Sequence, residues 1–299
     1  MTGFIFLDKP EGITSFTAVN KTRRILGIKK AGHTGTLDPM ATGVLPIMLG
    51  GATRFSQYLP THDKSYRARI LLGTVTDTLD TTGEVLETRE VNVASEELHS
   101  AVMSFVGDIK QLPPMYSAVS KNGVRLYKLA RQGIEIEREA RDVTIHSIEI
   151  ITELENNEFE IDVSCSAGTY IRSLAADIGE KLGCGAVISA LRRTKANGIS
   201  IDKTVTFEEL EKAVEAGMVE NLIAPCDEML SAYPSVRVSE KQAVYFSNGG
   251  ALDLNRVKDK TTVGLCLVYS PSGKLMGLGN IDREAGELKV ERILVYQQK

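Results

Sequence analysis

With 299 residues, 42% of them hydrophobic and 25% charged, the chain is long enough for one large domain or a large and a small one of ordinary globular composition. No apolar run approaches the ~20 residues of a membrane-spanning helix, and the first ten residues do not read as a signal peptide, so the expected compartment is the cytosol. The formal net charge of -4 is unevenly spread, with ten Lys/Arg against four acids in residues 1–75, one against eight in 76–108, and seven against three in 110–141, so local fields that suit phosphate survive an acidic total.

Taken in chain order, Phe4 to Leu7 reads as a short strand. Ser15 is the expected N-cap of a helix over 16–26, which Gly27 ends. Alternation over Tyr66 to Leu72 predicts a strand, and a helix starts at Ser95 and stops before Gly107. Asn122-Gly123 between short flanks signals a hairpin turn. Strands over 142–152 and 157–165 precede a helix over 169–182 closed by Gly183. Thr206 to Glu209 and Ser239 to Gln242 are capping boxes that open two further helices. β-rich runs flank the turn Ser270 to Gly273, and a last strand covers 288–296. The texture changes after Pro225, which predicts a large domain over 1–232 and a small β-rich one over 233–299. Strands and helices mix without a regular βαβ period, so the fold class is α+β. Cys165, Cys184, Cys226 and Cys266 form no C-x-x-C pair and have no histidine at metal spacing, which argues against a zinc site or a disulfide framework.

The segment richest in chemistry is Gly32-His-Thr-Gly-Thr-Leu-Asp-Pro-Met-Ala-Thr-Gly-Val-Leu-Pro46, where glycines and prolines surround a single carboxylate, Asp38. A rigid loop that presents one acid suits a nucleophile or a base, yet Asp-Pro is also common in plain turns. Neither G-x-G-x-x-G nor a P-loop is present. The residues alone leave both readings open.

This segment resembles the catalytic-aspartate motif of the TruB family of pseudouridine synthases. Four further segments resemble that family in the same order. They are Asp8-Lys9-Pro10 with Gly12 and Ser15; Asp63-Lys-Ser-Tyr66 with Gly73 and Thr76-Asp77-Thr78; Gln111 to Lys121 with Gly123, Arg125, Tyr127 and Ala130-Arg131; and Cys165 to Arg172 with Leu191-Arg-Arg193. Together they span residues 3–195. The resemblance implies a pseudouridine synthase fold, with a mixed, largely antiparallel sheet flanked by helices, an RNA-gripping insertion over about 112–140, and a C-terminal PUA-like domain. It implies isomerisation of one tRNA T-loop uridine, conventionally number 55, with no metal or organic cofactor, no membrane, no obligate protein partner, and a monomer at work.

On the same ground Asp38 is the expected nucleophile, by attack on C1′ or through a glycal-type intermediate, and Arg172 its partner. Tyr66 is expected to stack on the extruded uracil, with Tyr170 and Leu191 closing the pocket. His33 is placed where the flipped strand enters. Lys121, Arg125, Lys128 and Arg131, with Tyr116 and Tyr127, would grip the RNA backbone, with 125, 128 and 131 on one helix face. Lys9 and Pro10 would support the loop. A tRNA-folding chaperone and a synthase for another RNA are the alternatives.

Overall fold

The computed structural model describes residues 1–60, 63–117, 119–121, 123–258 and 261–295, with the side chains of Lys121, Glu153 and Leu154 outside the description. The Lys121 side chain and Asn122, both expected to carry a role, therefore lie outside the described residues.

The first strand, β1 (Gly3–Lys9), is followed by α1 (Ser15–Ile25), β2 (Ala31–His33) and β3 (Thr42–Leu49). A 3-10 segment, Gly50–Tyr58, leads into β4 (Lys64–Leu72), the short pair β5 (Thr74–Thr76) and β6 (Val85–Thr88), then α2 (Ser95–Met103) and β7 (Gly107–Gln111). The insertion holds β8 (Ser120–Lys121), β9 (Val124–Arg125) and α3 (Leu126–Ala130). β10 (Arg141–Glu155), β11 (Glu158–Cys165), α4 (Ile171–Lys181), β12 (Ala186–Ala196) and β13 (Ile199–Ser200) complete the large sheet. After α5 (Phe207–Glu215) and α6 (Cys226–Met229) come β14 (Ser235–Arg237), α7 (Glu240–Ser247), β15 (Leu252–Asp253), β16 (Gly264–Tyr269), β17 (Leu275–Asp282) and β18 (Glu287–Ile293).

The strand order of the large sheet is β1-β3-β12-β4-β11-β10-β7, with β2 also on β3 and β13 on β12. Every pairing is antiparallel except that of β12 with β3, which gives the mixed, largely antiparallel sheet of the expected α+β fold. The period of two in β1 feeds two cores: Ile5 and Leu7 face the first, Phe4 and Phe6 the second. The first core lies under the helices, with Ala18 and Val19 of α1 and Leu174 and Ile178 of α4. On the opposite face, β4 and β11 carry cross-strand ion pairs, Arg67–Asp162 and Arg69–Glu160, each at 2.7 Å and open to water.

The second core continues into the C-terminal sheet, ordered β14-β16-β17-β18-β15. Phe4, Phe6, Met48, Phe55 and Tyr58 meet Leu267, Leu278 and Leu294 there. Each such side chain taken out of water contributes about 1.5–3 kcal/mol. Hydrogen bonds from Tyr233 Oη to the Tyr58 carbonyl (2.8 Å) and from Tyr58 Oη to Glu291 (2.7 Å) cross the same seam. The other face of this sheet packs Val236, Val268, Ile281 and Leu288 against Phe246 of α7. No helix among the described residues is long and apolar enough to cross a membrane.

Local expectations are corrected in three places. The N-cap of α1 is Thr14, whose hydroxyl accepts from Thr17 N, because the Ser15 hydroxyl is engaged with the backbone of Leu37. The helix expected from 169 begins at Ile171, since the Tyr170 amide and carbonyl are both bound to the Gln111 side chain. Arg125, Lys128 and Arg131 do not share a helix face: α3 is five residues long, Arg125 ends β9, and Arg131 is the residue after the helix.

Candidate active site

One edge of β3 belongs to β1, and the other is divided. β12 pairs with it at Thr42 and Gly43, and β2 pairs with it at Ile47, Met48 and Leu49. The strands fork between these contacts, and residues 34–41 join β2 to β3 across the opening. Arg193 of β12 fills the fork. It is 1% exposed and donates from Nε to the Val44 carbonyl (2.8 Å), from Nη1 to that of Thr36 (3.3 Å) and from Nη2 to that of Gly35 (3.3 Å). Gly43 makes the close parallel contact possible: its φ is +100°, and a Cβ there would lie 2.2 Å from the Arg193 carbonyl oxygen.

Two more side chains hold the loop from below. The Ser15 hydroxyl donates to Leu37 O (3.0 Å) and accepts from Leu37 N (2.8 Å), so α1 is fastened to the residue before Asp38. Lys9 is fully buried and donates to the carbonyls of Pro10 (2.8 Å), Ile13 (2.8 Å) and Pro39 (3.3 Å). Burial lowers its pKa to about 8, with the Asp38 charge opposing. Pro10 thus enters through its carbonyl.

Asp38 comes out of this clamp with about a third of its side chain exposed, and its Oδ2 meets Nη2 of Arg172 at 2.9 Å. Arg172, the second residue of α4, is nearly buried and gathers several partners. Nη1 donates to Thr78 O (2.6 Å), Nη2 to Tyr116 O (2.8 Å), and Asp80 Oδ2 lies 3.8 Å from Nη1. Asp80 is itself buried and accepts from the hydroxyls of Thr78 (2.9 Å) and Thr82 (2.6 Å) and from Thr82 N (3.0 Å). Leu79, between the two contacts to Arg172, has a φ of +62°. A left-handed residue with a Cβ costs about 1–2 kcal/mol, and here it stands between a carbonyl and a carboxylate that serve one guanidinium. The base of the insertion is fixed to the same helix start, since Ser173 donates to Leu112 O (2.9 Å) and Gln111 clasps Tyr170.

Tyr66 of β4 pairs with Arg193 of β12, and Ala68 with Leu191, so period two puts all four on one face of the sheet. Tyr66 is 7% exposed and burial raises its phenol pKa, with the neighbouring Arg193 charge opposing. Leu191 is 8% exposed and joins the first core. His33, half-buried at the end of β2, has a pKa lowered first by burial and then by Arg193, with a backbone hydrogen bond at Gly35 opposing. Lys64, at the start of β4, is also lowered by burial and by Arg193. Arg125, Lys128 and Arg131 stand exposed on the insertion, with Arg131 5.5 Å from the Tyr127 ring centroid.

Residues 23–171 match the model of the TruB family pseudouridylate synthase N-terminal domain. Residues 172–231 match that of the tRNA pseudouridylate synthase B C-terminal domain. The chain is 46% identical over 297 residues to tRNA pseudouridine synthase B of Pseudomonas fluorescens, covering 98% of this chain and 96% of the relative. It is 43% identical to the protein of that name from Escherichia coli strain K12, covering 99% and 96%. The chain belongs to the TruB family of pseudouridylate synthases. Its fold matches a solved Cbf5-Nop10-Gar1 complex with a TM-score of 0.71 at 28% identity, over 98% of this chain and 85% of that one. An H/ACA RNP bound to a substrate RNA containing 2′-deoxyuridine matches with a TM-score of 0.70 at 26% identity, over 98% and 85%.

Within this TruB-family site, sequence reasoning overlooked Asp80, Ser15 as a clamp, and Arg193 as a filler of the fork. Arg193 was visible only as part of Leu191-Arg-Arg193, and nothing in that triplet marks which arginine turns inward. Arg192 faces out and pairs with Asp8 at 2.7 Å.

Proposed function

We propose that this protein isomerises uridine to pseudouridine in tRNA, acts on the T-loop uridine, and uses Asp38 as the carboxylate that works at C1′. The reaction breaks the N1–C1′ bond and forms a C5–C1′ bond on the same ring. The proton lost at C5 is balanced by one gained at N1, so no electron or group donor is consumed. The observation that carries the reading is the single partly exposed carboxylate of the motif, 2.9 Å from a buried arginine, in a chain 46% identical to a tRNA pseudouridine synthase B.

In this reading the target uridine leaves its stack and enters beside Asp38, since a base inside a stacked arm presents neither its C1′ nor its far edge. Tyr66 and Leu191 supply an apolar floor, and Tyr170 a wall. Arg172 orients Asp38. Its bond to the Tyr116 carbonyl links the insertion to the reacting carboxylate, so docking of RNA on Lys121, Arg125, Lys128 and Arg131 bears on the site itself. His33 fills the space at the entry of the strand. Residues 1–232 form the catalytic domain, and 233–299 a PUA-like RNA-binding unit seated through the shared core. The protein acts as a cytosolic monomer and draws on no cofactor.

The test is conversion of the T-loop uridine in an unmodified tRNA transcript by the wild type and by Asp38→Asn. Conversion by the wild type alone is expected. A wild type that binds the transcript and converts nothing would replace this reading with a chaperone role or another RNA substrate.

A further inference from the structure

Asp38 is the only acid between residues 12 and 62, a stretch that carries Lys21, Arg23, Arg24, Lys29, Lys30 and Arg54. α1 buries Ser15, Ala18, Val19 and Thr22. Helical periodicity then puts Thr17, Lys21 and Arg24 on one flank and Phe16, Asn20 and Arg23 on the other. The first flank turns to α5, where Lys21 lies 3.6 Å from Glu211 and 4.4 Å from the Phe207 ring centroid.

The second flank turns away from that acidic helix. Phe16 is 72% exposed there, directly after the serine that clamps Leu37. A lone exposed phenyl is unremarkable. Here it stands at the catalytic loop and heads a row of cations. Arg23 follows about 10 Å further along the helix, at ~1.5 Å per residue. Beyond the turn at Gly27 come the exposed Lys29 and Lys30, and the Lys30 carbonyl accepts from Gly50 N (2.8 Å), which opens the segment carrying exposed Arg54. Among the described residues, Arg23, Lys29, Lys30 and Arg54 make no ion pair.

We propose that this flank of α1 is an RNA track leading out of the active site, in which Phe16 stacks on a base next to the target uridine and Arg23, Lys29, Lys30 and Arg54 hold the phosphates beyond it. The inference deepens the assigned reaction and rests on RNA being its substrate. An exposed aromatic followed by exposed cations is the pattern of single-strand binding, where stacking tolerates any base and cations follow the backbone. Within residues 12–62 no acid but the reacting one stands against these cations.

Binding of an unmodified tRNA transcript is measured over a range of salt in an Asp38→Asn background, which removes turnover from the readout. The triple change Arg23→Gln, Lys29→Gln, Lys30→Gln is expected to make the slope of log K against log salt shallower by about 2 and to weaken binding at least about tenfold. Lys212→Gln, on α5 and paired with Glu208, serves as the charge control. Phe16→Ala is expected to weaken binding roughly five- to 150-fold with no change in slope, and Phe16→Trp to restore it. A triple variant with the slope of Lys212→Gln overturns the phosphate track, and a Phe16→Ala protein within twofold of its parent overturns the stack. Turnover by the Asp38 protein is followed in parallel. If it makes no pseudouridine while the triple variant still loses its slope, the assigned reaction falls and the track stands.

Discussion

Replacing Arg193 with lysine keeps the charge and removes the fork-shaped donor. The guanidinium reaches three carbonyls from one buried position, at 2.8, 3.3 and 3.3 Å, and burial depresses its pKa while Tyr66 opposes. Hydrogen bonds to a charged group contribute about 1.5–3 kcal/mol each, and the two long ones count for about half of that. Against their sum stands the several kcal/mol needed to strip water from the cation. A lysine carries the same desolvation cost but cannot span Val44 and the Gly35–Thr36 turn at once. The expected loss is about 2 kcal/mol, seen as a fall of about 3 °C in melting temperature. Because Gly35 and Thr36, whose carbonyls are then released, stand just before Asp38, the carboxylate shifts, and a displacement of about 1 Å costs roughly a hundredfold in turnover. Thermal melts and single-turnover conversion of a tRNA transcript read the two effects. An Arg193→Lys protein with wild-type melting and wild-type turnover would refute the account of the fork, and reduced melting with intact turnover would limit Arg193 to folding.

Three other outcomes are expected. Asp80→Asn deprives Arg172 of the carboxylate 3.8 Å away and should slow single-turnover conversion by about ten- to a hundredfold, with transcript affinity within twofold; an unchanged rate counts against the role. Lys9 has a folded pKa of about 8 against 10.5 for the free side chain, so between those values the unfolded chain binds the proton more readily and the folded state gains as pH rises. The stability of the wild type relative to Lys9→Met should therefore rise by up to about 3 kcal/mol from pH 8 to 10.5, and a flat difference in urea midpoints would contradict the buried charge. Ser15→Ala removes both bonds to Leu37 and should cost about 1–2 kcal/mol in urea unfolding, together with a several-fold loss of turnover; loss of stability alone would mean that the clamp does not reach Asp38.

What the sequence determined by itself was local or linear. The capping boxes at Thr206 and Ser239 form as spelled, because each is closed within four residues. The left-handed glycines 27 and 183 end helices where expected, since only the backbone at that residue is involved. The strand Lys64–Leu72 follows from its alternation, and the motif around Asp38 is legible because its residues are consecutive.

Tertiary structure alone decided what depends on partners far apart in the chain. β3 was concealed inside a glycine- and proline-rich motif; Pro46 lies in it where the second edge passes from β12 to β2, so its missing N–H breaks no ladder on that side. Thr14 and Ser15 are equally good caps, and only the arrival of Leu37, 22 residues on, takes Ser15 away. Arg192 and Arg193 are chemically identical neighbours; alternation across a strand sends one outward to Asp8 and the other into the fork. Asp80 sits in a run rich in acids, and its approach to Arg172 depends on a turn at Leu79 and on α4, 92 residues later. Charges and hydroxyls of one type are interchangeable in a sequence, and they acquire distinct roles only when long-range packing removes some of them from water.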